Sequence, residues 1–201
     1  MIDGWDGSTP ITDHPILELL AQRCSPYAFA DRDVSDADLR SLFEAARWAP
    51  SSYNEQPWSY IVAVRSQPAP FERLLSCLVE ANQVWARNVP MLALGVVRES
   101  FARNDRPNAT ALHDLGLASM SLVIEAAARN LYVHQMAGIL PDRARELYAI
   151  PTHSRALTGI AIGYRGDPSE LGDALRAREL APRTRKPLRE FVFGSRWGEP
   201  L

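Results

Sequence analysis

The chain has 201 residues, enough for one sizeable hydrophobic core, and its sequence marks no linker, so a single domain over 1–201 is expected. Hydrophobic residues at 46% and charged residues at 23% exclude a disordered or fibrous protein. A formal net charge of −2, two distant cysteines and four scattered histidines argue against a nucleic-acid partner, a disulfide framework and a metal site.

In chain order, His14 to Arg23 reads as a first helix with Ile16, Leu17, Leu19 and Leu20 on its apolar side. Ser35 opens a second helix: Asp38 stands three residues on, Leu39, Leu42, Phe43 and Ala46 form its apolar face, and Pro50 should end it at Ala49. After PSSYNEQPW (Pro50 to Trp58), the run YIVAV (Tyr60 to Val64) predicts a strand buried on both faces. Phe71, Leu74, Leu75, Leu78 and Val79 have helical spacing, and PMLALGVV (Pro90 to Val97) predicts a second buried strand. The polar stretch from Arg98 to Asn108 reads as a mobile loop. Thr110 to Arg129 predicts a long helix, Leu131 to Met136 a short strand, Pro141 to Tyr148 a helix, and Leu157 to Tyr164 another strand. Interspersed helices and strands imply a mixed class with a layered core.

No apolar run approaches the roughly 18 residues needed to cross a bilayer. MIDGWDGSTP lacks the basic and apolar regions of a secretory leader. A cytoplasmic location with no membrane partner is therefore expected. Near the C-terminus, Arg176, Arg178, Arg183, Arg185, Lys186 and Arg189 fall within fourteen residues, a patch that suits a small anion.

There is no GxSxG, GxGxxG or P-loop, so neither a serine nucleophile nor a familiar nucleotide cradle is signalled. Four polar clusters remain: Arg23–Cys24–Ser25, the nonapeptide PSSYNEQPW, HQMAG (His134 to Gly138) and RTRKPL (Arg183 to Leu188). Each has a structural alternative. Arg23 at a helix end can complement the dipole, and Cys24 can simply pack. His134 can be a hydrogen-bonded structural histidine, and the basic tail a solvated face. His113 and Asp114 could orient one another.

With NQVW (Asn82 to Trp85), these clusters carry a resemblance to the FMN-dependent nitroreductase family. RCSPYAF (Arg23 to Phe29) is similar to that family's opening segment, although Cys24 and Tyr27 stand where basic residues are usual. PSSYNEQPW matches its Pro-Ser-x-x-Asn-x-Gln-Pro-Trp loop in full. Ala137 replaces an acidic residue found in some members.

The resemblance implies an α+β three-layer sandwich, a central mixed sheet flanked by helices, in an interlocked homodimer with FMN at the interface. It places Arg23, Ser25, Arg183 and Arg185 on the flavin phosphate and ribityl chain, with Cys24 and Tyr27 in the same segment. Asn82 falls at the ring edge, and Met136, Ala137 and Gly138 near the ring's reactive nitrogen. Pro50, Ser51, Ser52, Asn54 and Gln56 form a wall against the flavin, the partner subunit's included. The implied activity is ping-pong transfer of two electrons from NADH or NADPH through FMN to a small electrophilic acceptor, such as a nitroaromatic or quinone. No protein side chain then needs to be a catalytic acid or base. Reductive dehalogenation, flavin processing or flavin binding without turnover are the alternatives on the same fold.

Overall fold

The computed structural model describes residues 12–201. Its elements, in chain order, are α1 (Glu18–Gln22), α2 (Asp36–Arg47), β1 (Trp58–Val64), α3 (Pro68–Leu75), α4 (Glu80–Ala86), β2 (Met91–Arg98), α5 (Ala111–Ala128), β3 (Tyr132–Met136), α6 (Pro141–Tyr148), β4 (Ser154–Gly163) and α7 (Asp173–Leu180). The strands form one sheet in the order β1-β2-β4-β3. Every pairing in it is antiparallel, so the α+β class holds while the sheet is not mixed as expected.

Side-chain alternation along β2 divides the core into two layers. Leu92, Leu94 and Val96 join Phe71, Leu74, Trp85 and Ala144 on one face of the sheet. Met91 and Ala93 join Leu42, Ala46, Leu122 and Val123 on the other. The sheet is thus sandwiched, with α3, α4 and α6 on one side and α2 and α5 on the other. As the second strand in from the edge, β2 is buried from Met91 to Val97, which accounts for its unbroken apolar sequence. By contrast β1 is only half-buried along most of its length. The expectation of burial on both faces fails there because β1 is an edge strand.

Ser35 caps α2 as its spacing requires: its Oγ accepts from the Asp38 backbone N–H at 3.1 Å and donates to the Asp38 carboxylate at 2.7 Å. The Asp38 carboxylate is also joined by Arg129 beyond α5, at 3.1 Å, tying the ends of two packed helices. The helix stops at Arg47, with Trp48 as its C-cap, two residues short of Ala49. The expected first helix shrinks to five residues, Glu18–Gln22, because Pro15 and the extended backbone at Leu17 delay its start. Two helices, α4 and α7, were not signalled by the spacing at all.

The 18-residue span of α5 reaches a mean hydropathy of 1.3, enough by length and composition to cross a membrane and more than the sequence expectation allowed. It serves instead as a core helix, burying Leu115, Ala118, Leu122 and Ala126. Leu122 is fully buried between α2 and the sheet, so Leu122→Ala should cost about 2–5 kcal/mol in urea unfolding. A loss below about 1 kcal/mol would mean this layer is not the packed core described.

Candidate functional site

The candidate residues fall into two groups, and the strand order separates them. One group lies along β3. Arg23 and Cys24 flank Leu131, Tyr132 and Val133 at its start, and Ala137 and Gly138 follow its last residue, Met136. Five residues of strand put these ends about 15 Å apart, a span suited to an elongated ligand. The segment after Cys24 is held against β3 by His134, whose Nδ1 is 2.9 Å from the Pro26 carbonyl oxygen. Tyr27 packs edge-on against both His134 and Trp85, with ring centroids 4.8 and 5.3 Å apart.

The start of β3 is crowded with cations. Arg183 reaches back from the C-terminal segment and donates to the carbonyls of Arg23, at 2.6 Å, and Ala21, at 2.9 Å. Burial lowers its guanidinium pKa, and Arg23, Arg185 and Arg165 push the same way. The buried Arg23 Nε has no hydrogen-bond partner among the described residues. Arg165 is balanced by Glu179, on α7, which also accepts from the Tyr27 backbone N–H at 2.6 Å. A cleft of about 570 Å³ opens beside these groups, lined by His14, Leu20, Arg183, Arg185, Lys186 and Phe191 among others. Ser25 is exposed here. Burial raises the Cys24 thiol pKa above its usual value, so Cys24 stays protonated and packs against the core.

At the other end of β3, Asn82 on α4 donates its Nδ2 to the Gly138 carbonyl at 2.9 Å, and the Val79 N–H donates to the same oxygen at 3.1 Å. A Cβ at Gly138 would lie 2.5 Å from that Nδ2 and 2.8 Å from Val79 Cγ2, so only glycine allows this approach. The backbone N–H groups of Ala137 and Gly138 find no protein acceptor among the described residues. They remain available as donors.

The second group is the nonapeptide loop at the start of β1, on the opposite edge of the sheet. It shares one end of the sheet with the 137–138 turn, because β1 enters where β3 leaves. Three strand spacings of about 4.8 Å nevertheless lie between them. Within one chain the two groups do not meet.

The loop is strained: Tyr53, Asn54 and Gln56 all have φ near +50 to +55° without being glycine, at a cost of about 1–3 kcal/mol each. Asp114, buried in the first turn of α5, holds it by accepting from the Ser52 N–H at 3.2 Å. Ser51 Oγ accepts from the Gln56 N–H at 3.0 Å, and Gln56 Nε2 donates to Asn54 Oδ1 at 3.1 Å. Pro50 and Asn54 face solvent. His113 is exposed and does not orient Asp114, which accepts from the Thr110 hydroxyl at 3.4 Å and from the Ser52 N–H 62 residues away. No local sequence signal marks that contact.

The Arg98–Asn108 stretch is not a free loop. Its ends pair through a bridge between Ser100 and Pro107. Arg98 binds Asp105 at 2.7 Å, Arg155 binds Glu99 at 2.8 Å, and the Glu55 carboxylate accepts from the Ala102 N–H. The expected mobile loop is a pinned hairpin.

The profile of the Nitroreductase family matches residues 20–164, most of the chain. The chain belongs to the nitroreductase family. A solved oxidoreductase containing FMN is 32% identical to this nitroreductase-family chain and superposes with a TM-score of 0.90, covering 97% of this chain and 99% of the other. An FMN-dependent nitroreductase from Clostridium difficile R20291 shares the fold at a TM-score of 0.62 and 21% identity, covering 78% and 91% of the two chains. In sequence, a 4-nitrobenzoate reductase of Nocardioides sp. is 24% identical over 230 residues, covering 89% of this chain and 93% of the relative.

Burial lowers the His134 pKa below its usual 6.5, the Pro26 carbonyl opposing in part. The folded protein therefore protonates after the unfolded chain does. Stability is full above the unfolded value and falls as pH drops through it toward the folded pKa. Between about pH 7 and 5, wild-type stability should fall more steeply than that of His134→Gln; equal slopes in urea titrations would show that His134 is not buried as described.

Proposed function

We propose that this protein is an FMN-dependent NAD(P)H oxidoreductase that reduces small electrophilic acceptors and works as a homodimer. The observation that carries this reading is the cluster of Arg23, Arg183, Arg185 and Arg165, in which the buried Arg23 Nε has no hydrogen-bond partner among the described residues. A guanidinium cluster of this kind suits a phosphate monoester, which it binds through charge-assisted hydrogen bonds. Ser25 stands beside them as a further hydroxyl donor. At the far end of β3, the free N–H groups of Ala137 and Gly138 favour a ring atom that gains negative charge. Asn82 fixes that turn through Gly138 and keeps its Oδ1 as an acceptor. These residues fit FMN: Arg23, Arg183 and Arg185 would hold its phosphate, and Asn82, Ala137 and Gly138 its ring. When bound, FMN supplies alternating two-electron chemistry, taking hydride from NADH or NADPH and passing it to an acceptor.

Family membership, the FMN-containing relative and the 4-nitrobenzoate reductase support this class of chemistry. The dimer is supported by the separation of the two residue groups: the strained loop meets a flavin on β3 only if that flavin belongs to a second subunit. The segment after Ala181 points the same way. It has no buried residue, yet it carries Leu188, Phe191, Trp197 and Leu201, the last two more than 90% exposed. Such an apolar tail suits burial against a second subunit.

Purified protein should be yellow, and anaerobic NADH or NADPH should bleach its visible absorbance. Protein that neither carries nor takes up FMN would sink the reading. Arg185 is the cleanest probe of the cation cluster, since its exposed side chain bonds only the Thr184 carbonyl among the described residues. Arg185→Ala should weaken FMN binding by about 1.5–3 kcal/mol with unchanged thermal unfolding of the apoprotein. Unaltered affinity would remove Arg185 from the phosphate site.

A further inference from the structure

We propose that Tyr53, Phe101 and Arg103 form an acceptor-binding rim that selects flat aromatic compounds bearing a carboxylate; this rests on the flavin oxidoreductase reading above. The three side chains come from two segments brought together at one end of the sheet. Tyr53 sits on the strained loop and Phe101 and Arg103 on the pinned hairpin. The Tyr53 and Phe101 rings meet edge-on at 81°, with centroids 6.1 Å apart. The Arg103 guanidinium carbon lies 4.9 Å from the Tyr53 centroid and 5.3 Å from that of Phe101.

Two features separate this cluster from incidental surface packing. Tyr53 is held in the left-handed region, φ 55° and ψ 22°, where an aromatic residue is rarely found, and the residue is nonetheless 77% exposed. The strain is sustained from both sides, by Asp114 on the Ser52 N–H and by the Glu55 carboxylate on the Ala102 N–H. The framework therefore orients an exposed ring rather than burying it. The second feature is the state of the cation. Arg98, Arg155 and Arg165 each pair with a carboxylate, but Arg103 enters no ion pair among the described residues. Stacking on two rings fixes a guanidinium in place while leaving its charge and its N–H fork unneutralised.

An oriented ring beside an oriented, uncompensated guanidinium is complementary to a planar ligand with an anionic substituent. The ring takes the aromatic face and Arg103 takes the carboxylate in bidentate fashion. The loop that carries Tyr53 is also the wall that faces the partner's flavin in the proposed dimer. The rim would thus hold an acceptor at the mouth of that site.

The test compares 4-nitrobenzoate with its uncharged isostere 4-nitrobenzamide, titrated calorimetrically into the FMN-loaded protein. Wild type should bind the carboxylate at least tenfold more tightly. Arg103→Ala should erase that preference while leaving the amide's affinity unchanged, and Arg103→Lys should restore part of it. Tyr53→Gly, which removes the ring and suits the left-handed backbone, should weaken both ligands alike. No preference in wild type, or a preference that survives Arg103→Ala, would overturn the proposal. So would slower anaerobic bleaching by NADH or NADPH in Arg103→Ala with acceptor affinities unchanged, which would give the guanidinium to the nucleotide phosphates. Wild-type protein that shows the carboxylate preference but is not bleached by either nucleotide would instead refute the oxidoreductase reading and leave the rim in place.

Discussion

The strand order β1-β2-β4-β3 is the constraint on which the account depends. It places the nonapeptide loop on one edge of the sheet and the cation cluster with its terminal N–H pair along the other. Both are at positions that chemistry would use: the loop is strained and exposed, and β3 is flanked by the Arg23 Nε and the Ala137 and Gly138 N–H groups, which find no partner among the described residues. Within one chain the sheet holds these two groups on opposite edges. In the dimer we propose, an isologous interface would bring one chain's loop to the other's β3.

Electrostatics and strain are distributed in keeping with that division. At β3, positive charge is concentrated, with Glu179 paired to Arg165. At the loop, three left-handed residues are held by a buried carboxylate and a pinned hairpin, which keeps the wall in place before any ligand arrives. Preorganisation of this kind reduces the ordering cost of binding.

Much of this was legible in the sequence because it is local. The Leu- and Val-rich run at 90–97 announced the buried strand, Ser35 and Asp38 announced a capped helix, and the prolines of PSSYNEQPW announced a stiff loop. The five short motifs, taken together, announced the family. What escaped was nonlocal or short. Helix α4 has seven residues, five of them partly or fully exposed, so no periodicity stands out. Strand order and the edge position of β1 depend on pairings that sequence spacing does not encode. The contact between Asp114 and Ser52 spans 62 residues, and the left-handed turn at Tyr53 lacks the glycine that normally signals one. The hairpin at 98–108 looked mobile because its residues are polar, whereas their charges are spent on pinning it.

The central claim, that each site combines one chain's loop with the other's β3, is tested most directly by subunit mixing. One variant carries Arg23→Ala and Arg185→Ala, and the other carries Ser52→Ala and Asn54→Ala; each is checked for lost FMN binding and then the two are unfolded and refolded together. If the sites are shared, half of the mixed dimers' sites combine an intact β3 with an intact loop, and FMN binding returns to about a quarter of all sites. If both halves belong to one chain, every site keeps a defect and no binding returns, which would contradict the account.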